Sequence, residues 1–214
     1  KMITCQCPAS AALPDIPAVQ CTESFGQIQK IIFQRLKKDD GTWNTIKQGD
    51  VLSGWTALLT AEDSTKIVVS PYVQAPTNES GEPITFGGGN ETLGGIEEII
   101  GRNPSTFTGV MRKIPQNVIK AMKELQCESA ADNLGVYLVD ENGSIEGTQR
   151  TVGAPPAKEL APIPIRSLFI GDKAHGGLEA PDSNVIQWSF LPNYSDELII
   201  VQPTDFNPLT DLVK

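Results

Sequence analysis

The sequence predicts a β-rich α+β domain: an antiparallel β-sandwich or barrel with one flanking α-helix, a long inserted loop and extended terminal arms. Three observations carry this. Short runs rich in β-branched and aromatic residues recur along the chain between turn signals, which is the pattern of a sandwich or barrel. A single segment, Pro115 to Cys127, has strong helical periodicity. The third observation is the stretch from Val73 to Pro104, where prolines and glycines interrupt any regular apolar period. Connections in compact domains are mostly about 4–6 residues long, and structureless ones beyond about 15 are usually functional or disordered.

In chain order, residues 1–24 hold three cysteines, Cys5, Cys7 and Cys21, among prolines and small residues, and read as an N-terminal arm. The core is expected over 25–202, with the long loop at 74–104 inside it and a C-terminal arm at 203–214, all within one domain. Ile28 to Leu36 contains Ile28, Ile31, Ile32 and Phe33 and reads as a strand. Lys37, Lys38, Asp39, Asp40 and Gly41 form a solvated charged turn. Trp55, Leu58 and Leu59 fall at helical spacing within Ser53 to Ala61, a short helix. Lys66 to Val73 is a buried strand that Pro71 ends near an edge or a bend.

The long loop carries Ile84, Phe86, Leu93, Ile96, Ile99 and Ile100, so it is no polar linker and its apolar groups need cover. Gly87, Gly88 and Gly89, then Gly94 and Gly95, admit positive φ at little steric cost and suit a hairpin tip or a close pass against another backbone. The Pro115 helix places Val118, Ile119, Met122 and Leu125 on one face, with Lys120 four residues before Glu124 on the other. Pro115 fits its first turn. Leu134 to Val139, the turn Asp140-Glu-Asn-Gly143 and Ser144 to Gly147 read as a hairpin. After a Pro-rich connection through Ala154 to Pro164 comes a strand at Ile165 to Ile170. Ile186, Trp188 and Phe190 alternate with polar residues, and Leu198 to Val201 follows a turn, so these two are expected to pair. The tail, with Phe206, Leu209, Leu212 and Val213, has few ways to bury itself alone.

The chemistry-bearing residues form no catalytic constellation, and the chain reads as a non-enzyme. A hydrolase needs a nucleophile, a base and an oxyanion site in mutual reach; the one histidine, His175, sits in a Gly-rich turn with no nucleophile-elbow signature around it. Glu97-Glu98 and Asp140-Glu141 are neighbouring acids of the ordinary solvated kind. Gly87-Gly88-Gly89 lacks the Lys and Ser or Thr of a P-loop and the strand-helix setting of a dinucleotide fingerprint. Four cysteines are too few for a disulfide scaffold, and Cys5-Gln-Cys7 lacks the second ligand pair of a structural zinc site; a bridge from Cys5 or Cys7 to Cys21 is the better reading. No metal and no cofactor is expected. The sequons at Asn78, Asn90, Asn142 and Asn193 are read as chance. Trp43, Trp55 and Trp188 suit core packing better than a sugar site.

A formal charge of −9, from 17 basic and 26 acidic residues, argues against a groove that grips phosphates, which depends on Lys and Arg releasing counterions. No apolar run approaches the roughly 20 residues of a membrane span, and no signal-peptide pattern opens the chain, which reads as soluble and without a membrane partner.

The order of parts resembles the tail tube (major tail) proteins of long-tailed bacteriophages, and the local phrasing of Phe25 to Arg35, Asn103 to Gly109 and Gly135 to Gly143 is similar to virion proteins of phages infecting Bacteroidetes. These phrases touch a small part of the chain and none is a diagnostic motif. The resemblance implies a homo-oligomeric, hexameric ring, stacked into a tube that conducts DNA, located in the virion after assembly in the host cytoplasm. It implies other virion proteins as partners and only transient, non-gripping contact with DNA. The inter-subunit arm would comprise Glu82, Ile84, Phe86, Gly87, Gly88, Gly89 and Leu93 from the long loop with Phe206, Leu209 and Leu212 from the tail. Alternatives are a head decoration or tail completion protein, or a carbohydrate-binding, adhesive β-sandwich.

Overall fold

A computed structural model describes residues 15–19, 23–153 and 155–212; Cys5, Cys7 and Cys21, with their expected bridge, lie outside the described residues. Two compact units emerge where the sequence reads as one domain: Phe25–Glu82 with Asn103–Lys214, and Pro83–Arg102 with the described part of Lys1–Ser24. The strands are β1 (Ile28–Arg35), β2 (Ile67–Val69), β3 (Gln74–Glu79), β4 (Pro83–Phe86), β5 (Glu98–Arg102), β6 (Ser105–Arg112), β7 (Leu134–Asp140), β8 (Ile145–Val152), β9 (Ala157–Ala161), β10 (Ile163–Ile170), β11 (Ser183–Phe190) and β12 (Leu198–Val201). The helices are α1 (Ser53–Thr60) and α2 (Gln116–Ala130).

In the larger unit every strand pairing is antiparallel, giving a β-rich α+β sandwich. One layer runs β2-β1-β7-β8-β12, with β9 beside β8; the other runs β10-β11-β6-β3, and β10 also touches β7 at Ile163↔Val136. The two-residue period of a strand puts alternate side chains on opposite faces, and β1 and β7 use both. Ile31, Phe33, Leu134, Val136 and Leu138 face a first core between the layers, with Phe107, Met111, Trp188 and Phe190 opposite. Ile32, Tyr137 and Val139 face a second core, which Trp55 and Leu59 of α1 cover. Every residue of β7 is buried as a result. Its continuous apolar run follows from cover on both faces rather than from a solvated, half-buried sheet.

The flanking helix forms as its spacing predicts: Ile119 and Met122 are buried in the first core, while Lys120 and Glu124 are exposed. Pro115 stands at its N-cap with φ −60° and ψ 145°, where the missing N–H costs nothing. α2 packs on β10 and β7. The turn after β7 is built by Asp140, whose carboxylate accepts N–H bonds from Asn142 (2.9 Å) and Ser144 (2.7 Å) while Gly143 takes φ 81°.

Several expectations are corrected. The stretch 74–104 is not structureless; it contains β3, β4 and β5. The Pro-rich connection contains β9, which pairs antiparallel with β8 from Thr148↔Ala161 to Val152↔Ala157. Residues 105–112, given no element from sequence, form β6, whose inward positions are Phe107, Gly109 and Met111. A side chain on Gly109 would meet Val73 Cγ1 at 2.4 Å, so packing demands the glycine that weakens the strand signal. Ile186 to Phe190 and Leu198 to Val201 do not pair. β11 pairs with β10 and β6, whereas β12 pairs with β8; Asn193 at φ 65° and the 3-10 turn Tyr194–Glu197 redirect the chain between layers. The tail is also not bare. Leu212 is fully buried in the second core, and Phe206 and Leu209 pack against it. Thr204 N–H donates to Asp50 O (2.8 Å), and the Lys30 ammonium to Leu209 O (2.7 Å).

Candidate assembly surface

The smaller unit holds a two-stranded hairpin, β4 with β5, in the register Pro83↔Arg102, Ile84↔Gly101, Thr85↔Ile99 and Phe86↔Glu98, with a bulge between Ile84 and Thr85. Its tip is shaped by Thr92, whose hydroxyl accepts from Gly88 N–H (3.1 Å) and donates to Ile96 O (2.6 Å). A Cβ on Gly87, which sits at φ 89°, would lie 2.1 Å from Thr92 Cγ2, so the tip requires glycine on two counts. No described residue of 83–102 is buried.

What this hairpin presents is apolar. Leu93 is fully exposed, Ile96 and Ile99 are exposed by 72% and 70%, and Ile84, Phe86 and Ile100 are also exposed. Ile99 and Ile100 are consecutive in a strand and therefore point to opposite faces, so both faces of the hairpin present exposed apolar groups. Exposed large apolar groups gathered in one place mark an interaction surface, whereas scattered single ones need no explanation. Glu91, Glu97 and Glu98 stand among them against the single Arg102, giving the segment an acidic character. Glu82 lies at the base of the hairpin, in the larger unit, where its carbonyl accepts from Asn103 N–H (2.9 Å).

Of the ten arm residues expected from sequence, the structure gathers Ile84, Phe86, Gly87, Gly88, Gly89 and Leu93 on the hairpin, with Glu82 at its base. Phe206, Leu209 and Leu212 belong elsewhere, on the second core. Ile96, Ile99 and Ile100 are absent from the expected set although Ile-Glu-Glu-Ile-Ile is legible in the sequence; the strand that holds Ile99 and Ile100 is not.

The remaining candidates for chemistry are dispersed. His175 is 80% exposed in its side chain and lies 3.3 Å from Asp182. Trp55 and Trp188 are fully buried, and the Trp43 ring lies 3.5 Å from the Arg150 guanidinium carbon, so the tryptophans do not form a common sugar-stacking face. Among the described residues no three His, Cys, Asp or Glu side chains gather as a metal site requires, and no helix is long and apolar enough to cross a membrane.

No protein-family model matches the chain, and no curated protein matches it. Two solved structures are similar in part. One is the tail of an empty GTA particle with C6 symmetry, at 12% identity and a TM-score of 0.31, spanning 62% of this chain and 82% of that one. The other is the baseplate of the anti-feeding prophage, six-fold symmetrised, at 7% identity and a TM-score of 0.36, spanning 85% of this chain and 97% of that one. Both scores are too low for the likeness to carry an argument about what this chain does.

Proposed function

We propose that this chain is a non-enzymatic, self-assembling structural protein of a virion, a tail tube subunit whose identical copies form stacked rings around a DNA-conducting bore. The observation that carries the reading is the β4–β5 hairpin, which shows apolar side chains on both faces, none of them buried among the described residues. A two-stranded hairpin is at best marginally stable in water without packing, and in a ring each such arm meets an identical neighbour that can bury it. The net charge of −9 supports the same reading, because an acidic wall repels phosphates and leaves DNA free to slide. The partners are then copies of the chain itself, other virion proteins and, transiently, DNA. The sequence resemblance to tail tube proteins points to the tube rather than to a decoration protein.

Negative-stain electron microscopy across a concentration series tests this. Rings or hollow tubes that become more numerous with concentration are the expected result. Isolated monomers at every concentration would overturn the assembly reading.

A further inference from the structure

If the hairpin is an assembly arm, some surface must receive it, and the larger unit contains one with matching chemistry. Beside β2 lies a groove of about 710 Å³. Its walls are largely apolar, including the half-exposed Val68 and Tyr72. Three cationic residues, Lys30, Lys66 and Arg112, line it, and its lining includes no Asp or Glu. In a chain of net charge −9 such a patch is locally opposite in sign to the whole. Lys30 is already committed, since its ammonium bonds Leu209 O and lies 4.7 Å from the Tyr72 ring. Lys66 lies 3.3 Å from the exposed Glu62 at the rim.

One wall of this groove is a sheet edge. β2 pairs with β1 alone. Ser70 N–H donates to Ile31 O (2.8 Å), and the alternation of an antiparallel ladder makes Val68 with Phe33 the next bonded pair, so the backbone groups of Ile67 and Val69 point away from β1. No other strand among the described residues pairs with that edge. Unpaired edges accept added strands, with the main-chain bonds giving affinity and flanking side chains giving selectivity.

We infer that this groove receives the hairpin of a second copy of the chain, with the outer edge of β5 adding to the outer edge of β2. Among the described residues β5 pairs with β4 alone, and its other edge carries no strand there. Ile99 and Ile100 supply apolar groups to the groove wall. Glu97 and Glu98 supply carboxylates to Lys66 and Arg112. Backbone pairing, apolar burial and charge sign all match between these two surfaces of one sequence. The contact joins two different surfaces, so it is heterologous and propagates from copy to copy into a ring or a filament.

The inference rests on the assembly reading, and a charge swap separates the two. The groove variant Lys66→Glu/Arg112→Glu places like charges opposite Glu97 and Glu98 and is expected to weaken self-association of the full chain by about tenfold or more in light scattering, with an unchanged thermal midpoint. Adding Glu97→Lys/Glu98→Lys restores opposite signs and is expected to recover most of the loss. A native protein that stays monomeric overturns both readings. Native-like association of the groove variant overturns this contact while leaving assembly intact, and a loss that the second pair does not rescue excludes the hairpin as occupant.

Discussion

At the scale of single residues, the β7–β8 turn shows how a carboxylate fixes structure and burdens a neighbour. Asp140 is 2% exposed and, besides Asn142 and Ser144, accepts from Gly26 N–H at 3.1 Å. Nearby Glu146 has its pKa pushed up, first by burial and then by the Asp140 charge. An acid with a raised folded pKa binds more protons in the native state, so stability falls as pH rises through the window above the ordinary glutamate value of 4.5. Glu146→Gln is therefore expected to unfold at a higher temperature than the native protein at pH 7, with the difference closing as the pH is lowered toward that value; a lower midpoint at pH 7 would contradict it. None of this was readable from the sequence, which offers Glu146 only as a polar residue in a strand. Trp188 was readable: its alternation with Gln187 and Ser189 put it inside, and it is fully buried, stacked on Phe107 with centroids 4.0 Å apart. Alternation is a local signal, whereas a pKa depends on residues brought together by pairing.

At the scale of elements, the junction of α2 and β10 ties the helix to the sheet by a bond rather than by packing alone. The register of β10 on β11 shifts between Arg166 and Phe169, where Ser167 takes φ 56°. Such a bulge leaves ladder groups without their usual partners, and the Leu168 N–H is satisfied by Ser129 Oγ of α2 at 3.0 Å, in a buried setting. Ser129→Ala is expected to cost about 1–3 kcal/mol by leaving that amide unpaired. Each kcal/mol lowers the midpoint by about 2–4 °C in a chain of this size, which calorimetry would show; an unchanged midpoint would mean the amide finds another partner. The elements that sequence pattern located well, β1, β7 and α2, draw their pattern from their own core contacts. β6 escaped because Val73 needs the space at Gly109. β9 escaped because its prolines flank a short strand whose cover, including the bridge Ile46↔Leu160, comes from far away in sequence. The pairing of β12 escaped for the same reason: a hairpin is suggested by adjacency, and Asn193 breaks adjacency.

At the scale of the whole molecule, the tail and the long loop show that an apolar segment with no visible cover has two possible fates. The sequence treats Leu212 and Leu93 alike, yet Leu212 is buried under its own chain and Leu93 is fully exposed. The difference lies in α1 and β1, which offer the tail a second core that no local pattern announces. The exposed Ile84, Phe86, Leu93, Ile96, Ile99 and Ile100 gather on the hairpin, so the hairpin should be dispensable for folding and needed for association. Glu82 O and Asn103 N are already within hydrogen-bonding distance at 2.9 Å, so replacing Pro83–Arg102 by a two-residue Asn-Gly turn closes the chain with a favoured geometry. No described residue of 83–102 is buried, and removing exposed segments of this kind leaves stability nearly unchanged. The shortened protein is expected to keep its circular dichroism spectrum and its unfolding midpoint within a few degrees, and to remain monomeric at concentrations where the native chain associates. Collapse of the fold would show that the hairpin supports the core; undiminished association would place the assembly surface elsewhere on the larger unit.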